Sequence, residues 1–215
     1  KRAPMQRRMI VILTRSPVGS SLSANFPISI ADPMAHSGAT IIARDAFFMT
    51  DKDILETRTG IRVQVRPAQD GDAKALAHFF SAVSDDDRRF RFLSSAPGVS
   101  AGQIHDLIHG DPDNCETFLA TDEKGAILAA ATLAADPDRT RAEVAISVRA
   151  DHRGKGVGWS MLRHATDRAQ EMGVGLLQAI ESRANHAAIE LEREQGFVAR
   201  SVDDEPSLLI LEKRF

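Results

Sequence analysis

The chain of 215 residues contains no tyrosine, one tryptophan and one cysteine. A lone Cys115 excludes an internal disulfide and any cysteine-rich zinc site, and it fits a reducing, cytoplasmic setting. Its surroundings, "DPDNCETF", supply no histidine to activate a thiolate, which argues against a nucleophilic role. No run approaches the ~18 to 20 apolar residues needed to cross a bilayer, so no membrane partner is expected. A basic surplus is also missing. The net charge is -3, whereas a general nucleic-acid binder is normally basic. What is present, 43% hydrophobic and 27% charged residues, is the composition of a globular protein long enough to bury a core.

The charge is unevenly spread. Residues 1–48 hold six Lys/Arg against two Asp, a balance of +4, and residues 49–215 carry -7. The first segment is rich in Ser, Ala and Pro, with no sustained period. As a targeting sequence its apolar "MIVIL" is shorter than the ~7 to 15 residues of a secretory core. The reading favoured here is an extension, 1–48, disordered or outside the native protein, with Met49 as the natural start. Residues 49–60 form a short lead-in, and 61–215 a single domain.

From Ile61 the pattern is regular. "IRVQVRPA" alternates and stops at Pro67, as a strand does. Asp70 is the expected N-cap of a helix through "AKALAHFFSAV", in which Leu76, Phe79, Phe80 and Val83 share a face. Ser84 is the expected cap of "DDDRRFRFL", and "SAGQIHDLIHG" reads as a helix ended by Gly110. Three strands follow, "ETFLATD", "GAILAAATLA" and "RAEVAISVRA", joined by connections too short for parallel crossovers. A helix to about Met172, a strand "VGLLQAI", a helix "ANHAAIELEREQ" and a final strand pair complete the order β-α-α-α-β-β-β-α-β-α-β-β. The fold class is α/β, a mixed and largely antiparallel sheet flanked by helices.

Between the fourth strand and the helix lies "RGKGVG", residues 153–158. Glycines leading into a helix leave unpaired N–H groups at its N-terminus, where the dipole favours an anion. Arg153 and Lys155 add positive charge. The nucleoside-triphosphate pattern G-x-x-x-x-G-K-[ST] is absent. Gly154, Gly156 and Gly158 miss the third spacing of G-x-G-x-x-G and follow a meander rather than a parallel βαβ unit. The stretch therefore reads as a pyrophosphate cradle of neither familiar nucleotide fold, against the plainer alternative of a glycine-rich turn.

Arg153, Gly156 and Gly158 match [QR]-x-x-G-x-[GA], and Asn185 is followed by a helix closing on "EQGF" at 194–197. On these residues and the element order, the chain resembles the GNAT superfamily of N-acetyltransferases over roughly 61–215. The resemblance implies acetyl-CoA as co-substrate and fourth and fifth strands that splay apart. Backbone amides of Arg153, Gly154, Lys155, Gly156, Val157 and Gly158 would grip the pyrophosphate, and pantetheine would pair with the backbone near Ser147 and Val148. It also implies the Val148 N–H as donor to the thioester oxygen and Asn185 as the side-chain anchor of the pantetheine arm. By position alone Asn185 is a helix N-cap, and one residue can do both. Trp159 reads as a cover for the helix start rather than an adenine platform.

Acyl transfer to an amine needs the neutral amine, and a lysine of pKa ~10.4 is only about one part in a thousand neutral near physiological pH. A carboxylate, or water held on one, must take the proton. Glu143 shares a strand face with Ala145 and Ser147, five residues before Val148, and is the expected base, against the plain reading of a solvated strand carboxylate. "AEVAISVRADHRGKGVG" and "VRPAQDGDAKALAHFFSAVSDDDRRFRF" are similar to bacterial Pat-type protein-lysine acetyltransferases, which implies a Glu base at this position. Glu181 is the alternative. Many family members carry a tyrosine four residues before the closing glycine, and here that position is Glu192. A thiol of pKa ~8.5 is a tolerable leaving group, so transfer survives without tyrosine, with Ser147 or Ser182 as candidate acids.

No metal is implied: His105 and His109 lack the Glu of H-E-x-x-H. The acidic 49–215 unit suits a cationic acceptor, a protein lysine, a polyamine or a basic small molecule, and the similarity to Pat-type enzymes implies a protein lysine ahead of a small-molecule amine. Asp85, Asp86 and Asp87 could recruit such a partner or simply start a helix. The rival function is a catalytically silent acyl-CoA-binding regulatory module. Nothing in the sequence fixes the oligomeric state.

Overall fold

The computed structural model describes residues 54–92, 96–203 and 205–215; the expected extension 1–48 and the start at Met49 lie outside them. Eight strands form one sheet: β1 (Ile54–Glu56), β2 (Arg62–Pro67), β3 (Cys115–Thr121), β4 (Ile127–Ala135), β5 (Ala142–Val148), β6 (Leu176–Ser182), β7 (Val198–Ser201) and β8 (Leu208–Arg214). Their order is β1-β2-β3-β4-β5-β6-β8-β7. The helices are α1 (Ala73–Ser81), α2 (Asp85–Phe92), α3 (Ala101–His109), α4 (Val157–Glu171) and α5 (His186–Glu194). The order read from the sequence is reproduced with β1 added at the front. A three-residue strand carries too short a pattern to be legible alone, and it is held by pairing with β2.

Neighbouring strands are antiparallel except β5 and β6, which run parallel. β4 lies inside the sheet and is buried along its whole length, which explains its unbroken apolar run. On one face of the sheet, Leu76, Phe79 and Phe80 of α1 and Ile104 and Leu107 of α3 pack against Leu119 and Ala130. On the other, α4 sets Met161, Leu162, Ala165 and Ala169 against β4, β5 and β6, with Met172 just beyond its end. This is the stripe expected from its spacing. Each fully buried leucine or phenylalanine contributes roughly 1.5 to 3 kcal/mol.

Helix ends follow the local sequence with one correction. Ser84 accepts from the Asp87 N–H at 3.3 Å, and Gly110 closes α3. Asp70, expected to cap α1, instead opens a short 3-10 turn. Asp72 precedes α1 because Arg66 holds its carboxylate with two bonds of 2.7 Å and the Gln69 N–H donates a third of 2.8 Å. No helix among the described residues is long and apolar enough to cross a membrane.

Candidate active site

The parallel pairing of β5 with β6 covers two residue pairs, Ala142 with Leu177 and Glu143 with Gln178. Beyond them β5 runs on to Val148 and β6 to Ser182 without pairing to each other. The strands splay, as expected for the fourth and fifth strands of the sequence. The Arg149 N–H donates to the Leu128 carbonyl of β4 at 2.9 Å. Main-chain groups alternate sides along a strand, so the N–H and C=O of Ile146 and Val148 point the other way, into the gap.

At the head of this gap β5 passes into α4. Gly156, the N-cap, is left-handed at φ 80° and supplies no side-chain cap. The first helical bond runs from the Ser160 N–H to the Gly156 carbonyl, 3.0 Å. The N–H groups of Val157, Gly158 and Trp159 precede it and have no acceptor within the helix. Gly154 is also left-handed, at φ 70°, with open space where a β-carbon would stand. A β-carbon on Gly156 would lie 3.2 Å from the Arg58 N and the Thr57 Cβ, a crowded position. These donors and bare backbone suit a diphosphate, and the residues expected to hold coenzyme A fit it.

Charge at the loop departs from expectation. The Arg153 guanidinium pairs with Asp87 of α2 and lies 3.5 Å from the Ser84 Oγ, so its charge is already compensated. Lys155 is exposed. Asp85 pairs with Arg88, so two members of the acidic run serve the fold. The segment expected as a short lead-in buttresses the loop: Thr59 Oγ1 donates to the Lys155 carbonyl at 2.7 Å. Arg58 stacks 4.1 Å over the Trp159 ring and bonds Glu194 at 2.7 Å. Trp159 therefore covers the start of α4. This buttress had no motif by which to find it.

Glu143, Ala145 and Ser147 share the face of Ala134, Thr132 and Ala130 across β4. Glu143 is half-buried, and its carboxyl is pushed up to about 7 by burial, against the attraction of Arg91 and reinforced by Asp136. Arg91, on α2, is buried and donates to the Thr132 Oγ1 at 2.8 Å. No spacing in "DDDRRFRFL" singled it out. The Ser147 hydroxyl is buried with no partner among the described residues.

Just beyond β6, Asn185 caps α5 by accepting from the Ala188 N–H at 3.4 Å, and its Nδ2 donates to the Glu181 Oε2 at 2.8 Å. The N-cap reading of Asn185 holds, and its amide nitrogen is engaged by Glu181. Burial raises the Glu181 carboxyl while the Asn185 amide opposes the shift. Glu192 is raised by burial and by the charge of Glu181. Ser182 accepts from the Ala184 N–H at 3.3 Å.

Comparison with known proteins agrees with this fold. The model of the acetyltransferase (GNAT) family matches residues 80–197. An acetyltransferase of Pseudomonas aeruginosa is 27% identical over 154 residues, covering 70% of this chain and 83% of the relative. A streptothricin acetyltransferase of Streptomyces lavendulae is 28% identical over 169 residues, 69% and 88% of the two chains. The crystal structure of the GNAT domain of S. lividans PAT superposes with a TM-score of 0.69 at 27% identity, over 75% of this chain and 96% of that one. The chain belongs to the GNAT family and is an N-acetyltransferase; the family uses acetyl-CoA as co-substrate.

Proposed function

We propose that the protein moves the acetyl group of acetyl-CoA directly to a primary amine, with Glu143 taking the amine proton and a protein lysine as acceptor. The observation that carries this is the gap itself: two strands that stop pairing after two residue pairs at the head of a helix whose cap has no side chain. The main-chain donors of residues 153–158 hold the diphosphate. Val148 and Ser147 line the pantetheine path, with Asn185 across from them. The Val148 N–H faces the thioester oxygen and stabilises the charge that develops on it. Coenzyme A supplies the activated acyl group. Glu143, pushed up to about 7 by burial, lies near the operating pH, where a general base works best.

Similarity to the GNAT domain of S. lividans PAT and the Pat-like segments of the sequence support the lysine acceptor. The streptothricin acetyltransferase relative supports the second reading, a small-molecule amine. Thiol release from acetyl-CoA with lysine peptides and small amines tests both. Turnover with peptides, falling roughly 10²-fold or more in Glu143→Gln with coenzyme A affinity kept, is the expected result. Turnover unchanged by the substitution removes Glu143 as base. Coenzyme A binding with no amine turned over favours a silent regulatory module.

A further inference from the structure

The start of α2 is tied down on two sides. Arg88 donates to the Phe80 and Val83 carbonyls, at and just past the end of α1, with bonds of 3.1 and 2.8 Å. Asp87 pairs with Arg153 of the glycine-rich loop. One turn after Asp87, α2 packs against β5 and Arg91, 7% exposed, comes down on the sheet. Its Nη2 donates to the Thr132 Oγ1 at 2.8 Å, which shares a bond of 3.2 Å with the Thr117 Oγ1. Thr117, Thr132 and Ala145 form one row across β3, β4 and β5, and Cys115, Ala134 and Glu143 form the next row on the same face. Thr132 and Glu143 are therefore diagonal neighbours, their backbones about 7 to 8 Å apart, a separation that a long side chain spans.

A guanidinium in so dry a place needs an anion. Burial lowers Arg91, and Glu143 and Cys115 oppose that shift. Burial also pushes the Cys115 thiol up to about 11, so it is neutral when Glu143 titrates, and Glu143 is left as the counter-charge. For its part, Glu143 is raised by burial, lowered by Arg91 and raised again by Asp136, which lies past the end of β4. The other charges around it are engaged or point away. Gln178, beside it on β6, donates to Glu212 of β8 at 2.7 Å, and Glu212 pairs with Arg200. Glu181 is on the opposite face of β6 from Gln178. Arg141, two residues before Glu143, acts on Asp138. On α2, Asp85 pairs with Arg88, while Asp86 and Arg89 are exposed. Across the sheet, Arg168 of α4 bonds Glu116 of β3, His164 packs on Phe118, and Arg163 and Asp167 are exposed.

We propose that Arg91 is the positioning residue of the base: its guanidinium, fixed on Thr132, keeps the Glu143 side chain in its charged, proton-accepting form. This deepens the acetyl-transfer reading above and rests on it. Arg91 acts through Glu143 and handles no proton itself, since a guanidinium stays protonated. Without it, the dry surroundings of Glu143 and the charge of Asp136 both favour the acid form, which cannot take up a proton. The ties at the start of α2 fix where Arg91 arrives. One helix thus links the loop read as the diphosphate site, through Asp87, to the base, through Arg91.

The full chain is assayed with acetyl-CoA and its best amine across pH, each variant against wild type at the same pH. Arg91→Met is expected to move the acidic limb of kcat up by about 1 to 2 pH units. Near neutrality kcat then falls about 5- to 50-fold, and it recovers to within about twofold once the pH passes the shifted limb. Arg91→Lys keeps a positive charge and brings the limb at least halfway back. Thr132→Val loosens the anchor and moves the limb in the same direction by less. Added to Glu143→Gln, Arg91→Met should change kcat less than about twofold, because a residue that acts through the base has nothing left to act on. A loss in Arg91→Met that is equal at every pH, or that adds in full to the loss in Glu143→Gln, overturns the proposal. If Arg91→Met does not fold, Thr132→Val decides, and a limb that stays in place there overturns it. Wild-type kcat in Glu143→Gln, or wild-type enzyme that turns over no amine, brings down the acetyl-transfer reading and this one together. Activity lost in Glu143→Gln with an unmoved limb in Arg91→Met brings down this one alone.

Discussion

β5 and β6 leave the sheet side by side, and the helices that follow them begin in opposite ways. The start of α4 has a left-handed glycine and no side-chain cap. The start of α5 is capped by Asn185, whose amide also binds the strand behind it. A capped helix has satisfied some of its own N–H groups, while an uncapped one keeps them for a ligand. The carboxylates differ in the same sense. Glu143 on β5 is balanced against a buried cation, Arg91. Glu181 on β6 is balanced by a neutral amide and faces a second acid.

The sharpest break in this comparison is exchange of the two strand carboxylates. Glu143→Gln should lower kcat roughly 10²-fold or more and remove the rise in rate as pH passes about 7. Glu181→Gln should cost less than about tenfold. The reverse ranking in steady-state assays would make Glu181 the base. Next in size is Gly156→Ala, which forces a β-carbon into a left-handed position 3.2 Å from the Arg58 N. The conformation alone costs about 1 to 2 kcal/mol, and coenzyme A affinity by calorimetry should fall about tenfold, equivalent to ~1.4 kcal/mol.

Stability should also depend on pH. Glu143 and Glu192 both titrate higher in the fold than unfolded, where a glutamate has pKa ~4.3. Their contribution is fully present below that value and is lost as pH rises through the folded values, about 7 for Glu143 and higher than the ordinary range for Glu192. Thermal melts should therefore fall between about pH 5 and the alkaline side, with a shallower fall in Glu192→Gln. The smallest effect is expected from Asn185→Ala: about 1 kcal/mol from the lost cap, or ~2 to 4 °C in Tm. A loss of coenzyme A affinity larger than that of Gly156→Ala would overturn the contrast between the two helix starts.

Much of this was legible in order along the chain. The meander showed in alternation and short turns, and α4 in a stripe from Met161 to Ala169. The bare backbone of residues 153–158 showed in its glycines, and strand parity put Glu143 on the face of Ser147, where the structure has it. Two errors were local. Asp70 had the chemistry of a cap, but Arg66 fixed Asp72 there instead. Arg153 had charge to offer, but Asp87 took it. Neither competitor is visible in the local motif, because each arises from where another element packs.

The sequence by itself determined the helices and every strand but β1, the bare backbone at residues 153–158 and the two apolar faces, since all of these follow from period and turn chemistry within a few residues. Tertiary structure alone decided the environments of the charged groups. Arg91, Glu143, Glu181, Asn185 and Glu192 acquire their character from burial and from partners across strand and helix contacts. A side chain's willingness to hold a proton depends on the water removed around it and the charges brought to it, and only the folded chain sets both.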